Sequence, residues 1–510
     1  MEGRLDLNLL GSARLIGVVI SGSRASLAPV RVSIDSIDFV RDEMLVLIED
    51  SEEGRLYLGV VKGAVKKDIA IDGSSLPSNF DPKMSYSYSA PIMSAYVEIM
   101  GEISGGGVEV SFSIPRPGSR VYVVSDGREL SRLLGAPEGL YVGYHKFSGA
   151  SIRMVPEALN YHVAVLGATG TGKSRLVKGL VEEVLSRTSY SVIIFDHTGL
   201  DYSDLSRWGF EASLVDGSRI ILDPDVVSEI IIDRAGLKDY HSDSMYFAVT
   251  SYIQSRLEEL QKGDSLRVKP KAEVSVEDIV RRYREACKNG TFKWELTSFI
   301  ESLYSKLPDI GVRESTIRKY EVLITLRLGR GFFDNYLNGR TIAVDDIVGQ
   351  VLGGGRLVIV DLSREVEYEA KRSIVYQVLK GVWDRVLAGR FRANAIAVID
   401  EAHNYVCAQT CKPSVDMVAR TAREGRKWGF GLILASQRVI DLAPDIRGNV
   451  NTIFFSRLQS TMDYEELKRW VEGVQFLEYT LPMLTRREFY FTGLGNIVRR
   501  PLLVRVKDVS

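Results

Sequence analysis

The chain has 510 residues, a formal net charge of −1, and 45% hydrophobic and 26% charged residues. That length supports two to four domains with a large core, and the composition is that of a globular chain rather than a fibrous or disordered one. The near-neutral balance excludes a general positive field, so any nucleic-acid contact needs a local basic surface. No apolar run approaches the ~20 residues that span a bilayer, and the opening MEGRLDLNLLGSARL carries early acids instead of an unbroken apolar signal core, so a cytoplasmic protein is expected.

Residues 1–155 are rich in short β-type runs: LIGVVI, MLVLIED, LYLGVV, AYVEIM, VEVSFSI and VYVVS. Clusters of Gly, Ser, Asp and Pro separate them, a spacing that predicts a small barrel or sandwich. With no catalytic cluster there, assembly or partner docking is the expected role.

From Tyr161 the pattern changes. HVAVLG reads as a strand, followed by a Gly-rich turn, a helix through LVKGLVEEVLSR and a second strand SVIIFD. This alternation predicts a parallel α/β sheet. Residues 224–350 read as a helical insertion. The strands RLVIVD, AIAVID, GLILAS and NTIFFS resume the α/β core, which is thus expected at 156–223 and 351–495. EFYFTGLG and PLLVRV form a terminal β pair, with 496–510 as a tail.

Gly167-Ala168-Thr169-Gly170-Thr171-Gly172-Lys173-Ser174 matches GxxxxGKS. Glycines let successive N–H groups turn into one concavity at a helix N-terminus, which binds phosphate. Lys173 is expected on the β- and γ-phosphates of ATP and Ser174 on Mg2+.

Three strands end in Asp: Asp196, Asp361 and Asp400. Strand C-termini line the ligand crevice of such sheets. Only Asp400 has a second acid directly after it, so Asp400 is expected to hold the metal shell and Glu401 to polarise the attacking water. Asp361 is expected to make strand-end hydrogen bonds. Asp196 opens the polar turn DHTGLDY, as a turn former or as part of the site.

Val415 to Lys427 reads as a helix that sets Arg420, Arg423 and Arg426 three residues apart. Such a stripe is either a solvated face or, at Arg426, a cation that completes the γ-phosphate shell of a neighbouring subunit. Gln437 ends the core strand GLILAS, where an amide can bond the attacking water or the γ-phosphate, or merely terminate the strand. Three cysteines are too few for a disulfide framework. His403, Cys407 and Cys411 fall at i, i+4 and i+8 and could share a helix face, but a metal would want a fourth ligand; ordinary thiols are expected.

Together, HVAVLGATGTGKS (162–174), FDHTG (195–199), VIVDLS (358–363), AVIDEAHNYV (397–406), TAREGRKWGFGLILASQR (421–438) and LPMLTRREFYFTGLG (481–495) resemble the HerA family of archaeal hexameric DNA helicases and translocases, within the HerA/FtsK group of P-loop ATPases. IPRPGSRVY (114–122) and the β-rich stretch around it look like the family's N-terminal barrel. The resemblance implies a RecA-like core, an ATP- and Mg2+-dependent homo-hexamer with double-stranded DNA threaded through its centre, and work with a NurA-type nuclease on DNA ends in recombinational repair. It makes Arg426 the trans-acting finger and Gln437 the sensor. One departure is Leu200, which intervenes between the Gly and the acid after the second strand. Two other readings share parts of this pattern: a ring ATPase moving protein, as in type IV secretion, and a non-motor nucleotide switch. DNA contacts are expected from position and charge in Ser363–Arg372, including Lys371.

Overall fold

The computed structural model describes residues 10–11, 13–68, 91–124, 126–135, 138–262, 275–407 and 409–507. Two compact units make up the chain: a split unit, Met1–Ser189 with Gly431–Ser510, and a central unit, Tyr190–Phe430.

The split unit opens with a barrel. Strands Ala13–Val19, Leu27–Val32, Leu45–Asp50, Arg55–Asp68, Pro91–Ser104 and Arg120–Val124 pair antiparallel, and the pairing of Leu27–Val32 with Pro91–Ser104 closes the ring. Alternate side chains turn inward, so Ile16, Val30, Val46, Ile48, Val61, Val97, Val121 and Val123 form one apolar core. Closure removes the exposed sheet edge that an open set of these strands would leave. The expected strand VEVSFSI is paired only at Gly107–Glu109. Beyond it Val110, Phe112 and Ile114 alternate outward, 75%, 88% and 50% exposed, so the alternation there marks surface and not core.

The barrel ends at Val124. Leu140–His145 and Ser151–Met154, which the sequence division at 155 groups with it, pair elsewhere: Leu140–His145 is antiparallel to Leu502–Val506. The second sheet of the split unit runs Phe430–Ser436, Val163–Leu166, Thr452–Phe455, Glu488–Gly493, Leu502–Val506, Leu140–His145, Ser151–Met154. Its first three strands are parallel and the rest antiparallel. The expected terminal β pair is present, with Glu488 opposite Arg505, and what was read as a tail is therefore an interior strand. Helix Lys173–Arg187 is fixed to this sheet by Glu183, which accepts from the Tyr141 amide at 2.9 Å and from Lys507 Nζ at 3.0 Å.

Among the described residues the central unit has four parallel strands in the order Ala212–Asp216, Leu357–Asp361, Ser191–Asp196, Ala395–Ile399. The long helices Tyr368–Gly389 and Ser414–Trp428 belong to it. Its described residues between 224 and 352 are mainly helical, as expected, around an aromatic core of Tyr252, Tyr283, Phe292, Trp294, Phe299 and Phe333; Trp294 Nε1 donates to the Tyr283 hydroxyl at 3.1 Å. The buried ion pair Arg340–Glu365 holds the segment that leaves strand Leu357–Asp361, and Arg340 also donates to the Ile220 carbonyl at 2.9 Å. Among the described residues no helix is long and apolar enough to cross a membrane.

Candidate nucleotide site

The phosphate loop stands where its sequence demands. Strand Val163–Leu166 is entirely buried and feeds Gly167, and helix Lys173–Arg187 begins at Lys173. Gly170 and Gly172 have φ of +78° and +102°, a region that glycine enters without steric cost, and this turns the backbone back on itself. Thr171 fixes the curl: its amide and hydroxyl both bond the Ala168 carbonyl, at 3.3 and 2.8 Å. Lys173 is 8% exposed and lies over its own loop, donating to the Gly167 carbonyl at 2.9 Å and the Ala168 carbonyl at 3.4 Å. Ser174 follows in the first turn of the helix.

Gln437 reaches this loop. It directly follows strand Phe430–Ser436, whose register sets Ser436 opposite Leu166, and its Oε1 accepts from Thr169 Oγ1 at 2.8 Å. The amide at the strand end therefore touches the phosphate loop instead of merely ending a strand. Arg457 and Arg487 also bind the loop through their backbones: the Arg457 carbonyl accepts from the Ala168 amide at 2.9 Å, and the Arg487 amide donates to the Thr171 carbonyl at 2.7 Å. Neither arginine is legible as a loop contact in the sequence, since both come from segments almost three hundred residues away or more.

The acid pair belongs to the central unit. Asp400 follows strand Ala395–Ile399, is 3% exposed, and donates its amide to the Phe195 carbonyl at 3.2 Å. Burial and then the neighbouring Glu401, Asp196 and Asp201 push its carboxyl up to about 8. Glu401 takes φ +45° and ψ +48°, left-handed for a residue with a Cβ. Its carbonyl is held by the Asn404 amide at 2.9 Å and Asn404 Nδ2 at 3.3 Å, and its Oε2 lies 3.3 Å from His403 Nδ1. A non-glycine residue in this conformation costs about 1–3 kcal/mol and is typical of functional positions.

Asp196 is a turn former. It is fully buried, and its two oxygens accept from the amides of Thr198, Gly199, Tyr202 and Ser203 and from the Ser203 hydroxyl. The exposed Leu200 rides on the outside of this turn, 80% exposed. Asp361 makes the expected strand-end bond, accepting from the Ser363 amide at 2.9 Å. His197 follows Asp196 and bonds the Tyr405 hydroxyl at 2.7 Å; burial, with Lys371 and His403 nearby, lowers its pKa to about 4, so it is neutral.

Lys371 and Arg372 are turned inward and do not offer a basic surface. Lys371 is 8% exposed with Nζ 3.5 Å from the His197 carbonyl, and Arg372 Nε donates to the Asn404 carbonyl at 3.0 Å. Helix Ser414–Trp428 carries the arginine stripe. Arg420 stacks over the Trp383 ring at 4.9 Å and pairs with Glu424 at 3.5 Å, whereas Arg423 and Arg426 are exposed. Gly425 allows the turn into the next strand, since a Cβ there would stand 2.2 Å from the Phe430 carbonyl oxygen. His403, Cys407 and Cys411 do not share a helix face: residues 402–404 form a single 3-10 turn, and Cys407 and Cys411 are joined in a disulfide rather than being ordinary thiols. Among the described residues no group of His, Cys, Asp and Glu is arranged to hold a metal ion by itself.

Residues 140–382 match the family model described as helicase HerA, central domain. Across those residues the chain is similar to the HerA central domain. A curated HerA relative, the DNA double-strand break repair helicase HerA of Pyrococcus furiosus, is 25% identical over 511 residues, covering 90% of this chain and 86% of the relative. The HerA protein of Sulfolobus acidocaldarius is 23% identical, covering 77% of this chain and 73% of that protein. Among solved structures, VirB4 of Thermoanaerobacter pseudethanolicus aligns with a TM-score of 0.49 at 16% identity, covering 74% of this chain and 98% of that one. The plasmid coupling protein TrwB in complex with ADP and Mg2+ aligns at 0.47 and 15%, covering 76% and 93%. The phosphate loop on its parallel strands, in a stretch similar to the HerA central domain, makes this a P-loop ATPase with a closed N-terminal barrel and a helical insertion.

Proposed function

We propose that the protein is an ATP-driven DNA helicase or translocase that works as a homo-hexameric ring with double-stranded DNA in its central channel. The observation that carries this reading is the phosphate loop with Gln437 bonded to Thr169, in a chain whose curated relatives are named DNA double-strand break repair helicases. Loop residues 167–172 cradle the phosphates, Lys173 leaves its loop carbonyls for the β- and γ-oxygens, and Gln437 reports the γ-phosphate to the strand behind it. Glu401 orients and deprotonates the attacking water, and Arg426 of the next protomer completes the charge on the transferring phosphoryl group.

Each unit carries a donor of a kind that suits Mg2+. Asp400 is a buried carboxyl crowded by Glu401, Asp196 and Asp201, a concentration of negative charge that a divalent cation offsets, and Ser174 supplies the hydroxyl that P-loop helices offer the same ion. Held by Asp400 and Ser174, a bound Mg2+ would supply positive charge against that developing on the transferring phosphoryl group.

The biological setting in this reading is DNA end processing for recombinational repair with a nuclease of the NurA type, docked through the N-terminal barrel. With Lys371 and Arg372 engaged internally, the DNA-facing part of 363–372 is its exposed portion: Arg364, Val366 and Tyr368, with side chains or whole residues 74%, 81% and 47% exposed.

The test is ATP hydrolysis with and without linear duplex DNA, together with electron microscopy of the protein bound to a non-hydrolysable ATP analogue and duplex DNA. Strong stimulation and closed six-membered rings with DNA in the channel support the reading. Hydrolysis indifferent to DNA, from a protein that stays monomeric with nucleotide, refutes it.

A further inference from the structure

Arg487 occupies a backbone position made for glycine. Its φ is +70°, a region that residues with a Cβ rarely enter and glycine enters freely. The main chain there is fixed from both sides whatever the side chain: the Arg487 amide donates to the Thr171 carbonyl at 2.7 Å, and its carbonyl accepts from the Val506 amide at 2.9 Å. An arginine kept under those conditions suggests a task for its side chain, because the backbone geometry alone favours glycine.

The side chain starts out against the phosphate loop. A Cβ built on Gly172 would stand 3.4 Å from Arg487 Cγ, 3.5 Å from its N and 3.6 Å from its Cα. The stem thus packs on the residue that immediately precedes Lys173. Beyond Cγ about 5 Å of side chain remains with which to reach an anion seated on the loop. A guanidinium offers a planar fork of donors that matches phosphate oxygens in pairs, where Lys173 offers a point charge.

We propose that Arg487 is a nucleotide-contacting residue, a second cation supplied by the same chain as Lys173 and directed at the polyphosphate of ATP. This rests on the reading of residues 167–174 as the ATP site.

Three substitutions test it by titration of a fluorescent ATP analogue with Mg2+, alongside thermal unfolding. Arg487→Gly relaxes the backbone and removes the charge. Arg487→Met keeps the apolar stem without the charge, and Arg487→Lys keeps a charge. The expected result is that Gly and Met each weaken ATP binding tenfold or more, Lys recovers most of the loss, and the Gly variant melts no lower than wild type. The proposal is overturned if the Met variant binds ATP within twofold of wild type, or if Lys binds as weakly as Gly, since either assigns the effect to packing. Should Gly lower the melting temperature, the Met and Lys pair still decides the question. Lys173→Ala is the control for the site itself. Lost binding in Lys173→Ala with normal binding in Arg487→Met removes only the role of Arg487, whereas normal binding in Lys173→Ala removes the nucleotide site at this loop.

Discussion

The ion pair Glu43–Lys62 gives the most quantitative handle on how the barrel is joined to the sheet behind it. Lys62 Nζ donates to both carboxylate oxygens, at 2.9 and 2.7 Å, and the two side chains are 2% and 3% exposed. The pair abuts strand Glu488–Gly493: Lys62 lies 5.5 Å over the Tyr490 ring, and Thr480, whose hydroxyl bonds that of Tyr490 at 2.7 Å, lies 3.5 Å from Glu43 Oε1. Burial outweighs the attraction of Lys62 and holds the Glu43 carboxyl above its ordinary range. Lys62→Met preserves much of the volume and strands a buried acid, which costs about 3–5 kcal/mol. For a unit of this size that is a fall in melting temperature of roughly 6–10 °C. Because a raised pKa favours the protonated fold, the cost is largest at alkaline pH and shrinks as pH falls and Glu43 takes up a proton. Adding Glu43→Gln removes the stranded charge and should recover more than half of the loss. Differential scanning calorimetry is the right assay, since four of the five tryptophans lie in the central unit and report little on this one. A fall under 2 °C in Lys62→Met, or a double variant no better than the single, refutes this account of the junction.

Glu401→Gln should bind ATP within a few-fold of wild type and hydrolyse it about 10²–10⁴ times more slowly, measured by phosphate release; near-normal turnover moves the base elsewhere. Arg426→Ala should also bind ATP yet lose about 10³-fold or more in turnover, and mixing it with the inactive Lys173→Ala should restore measurable activity, because a Lys173→Ala subunit lends its intact Arg426 to a neighbouring pocket that keeps Lys173. His145 is buried, with its ring between the Ser148 hydroxyl and the Glu43 carbonyl, both at 2.9 Å, and burial lowers its pKa to about 4. A depressed folded pKa means stability that is full above the unfolded value of about 6.5 and drains away as pH falls towards 4, by up to roughly 3 kcal/mol; His145→Gln should flatten that part of the calorimetric pH profile. Iodoacetamide should label no cysteine of the native, unreduced protein, Cys407 after reduction, and the buried Cys411 and Cys287 only after unfolding, since burial also pushes the Cys287 thiol up to about 12. Reduction of the Cys407–Cys411 link should cost the central unit about 2 kcal/mol by the chain-entropy relation for so short a loop.

Features built from neighbouring residues were legible in the sequence. GATGTGKS specifies its own turn, the strands ending in Asp400 and Asp361 are unbroken apolar runs, and the helix bearing Arg426 shows its period plainly. What depends on distant partners was not. The Thr169–Gln437 bond joins residues 268 positions apart in the chain, and nothing in the segment around Arg487 signals its contact with the phosphate loop. Strand Ala212–Asp216 escaped notice because it is short and four of its five residues are partly or fully exposed. The run Val108–Ile114 misled in the opposite direction, since alternation shows that two faces differ and not which one is covered. Lys371 and Arg372 read as a basic surface because charge normally means solvent, but helix Tyr368–Gly389 turns both towards backbone carbonyls. The Cys407–Cys411 link was hidden by a rule about counting, which says nothing of a single local bridge.

The interior position of strand Leu502–Val506, between Glu488–Gly493 and Leu140–His145, imposes an order on synthesis. Residues 190–430 leave the ribosome as one continuous stretch and can condense while translation proceeds. The sheet that carries the phosphate loop stays open until residues 502–506 have been added, so a nascent chain gains its grip on nucleotide only after that strand has emerged.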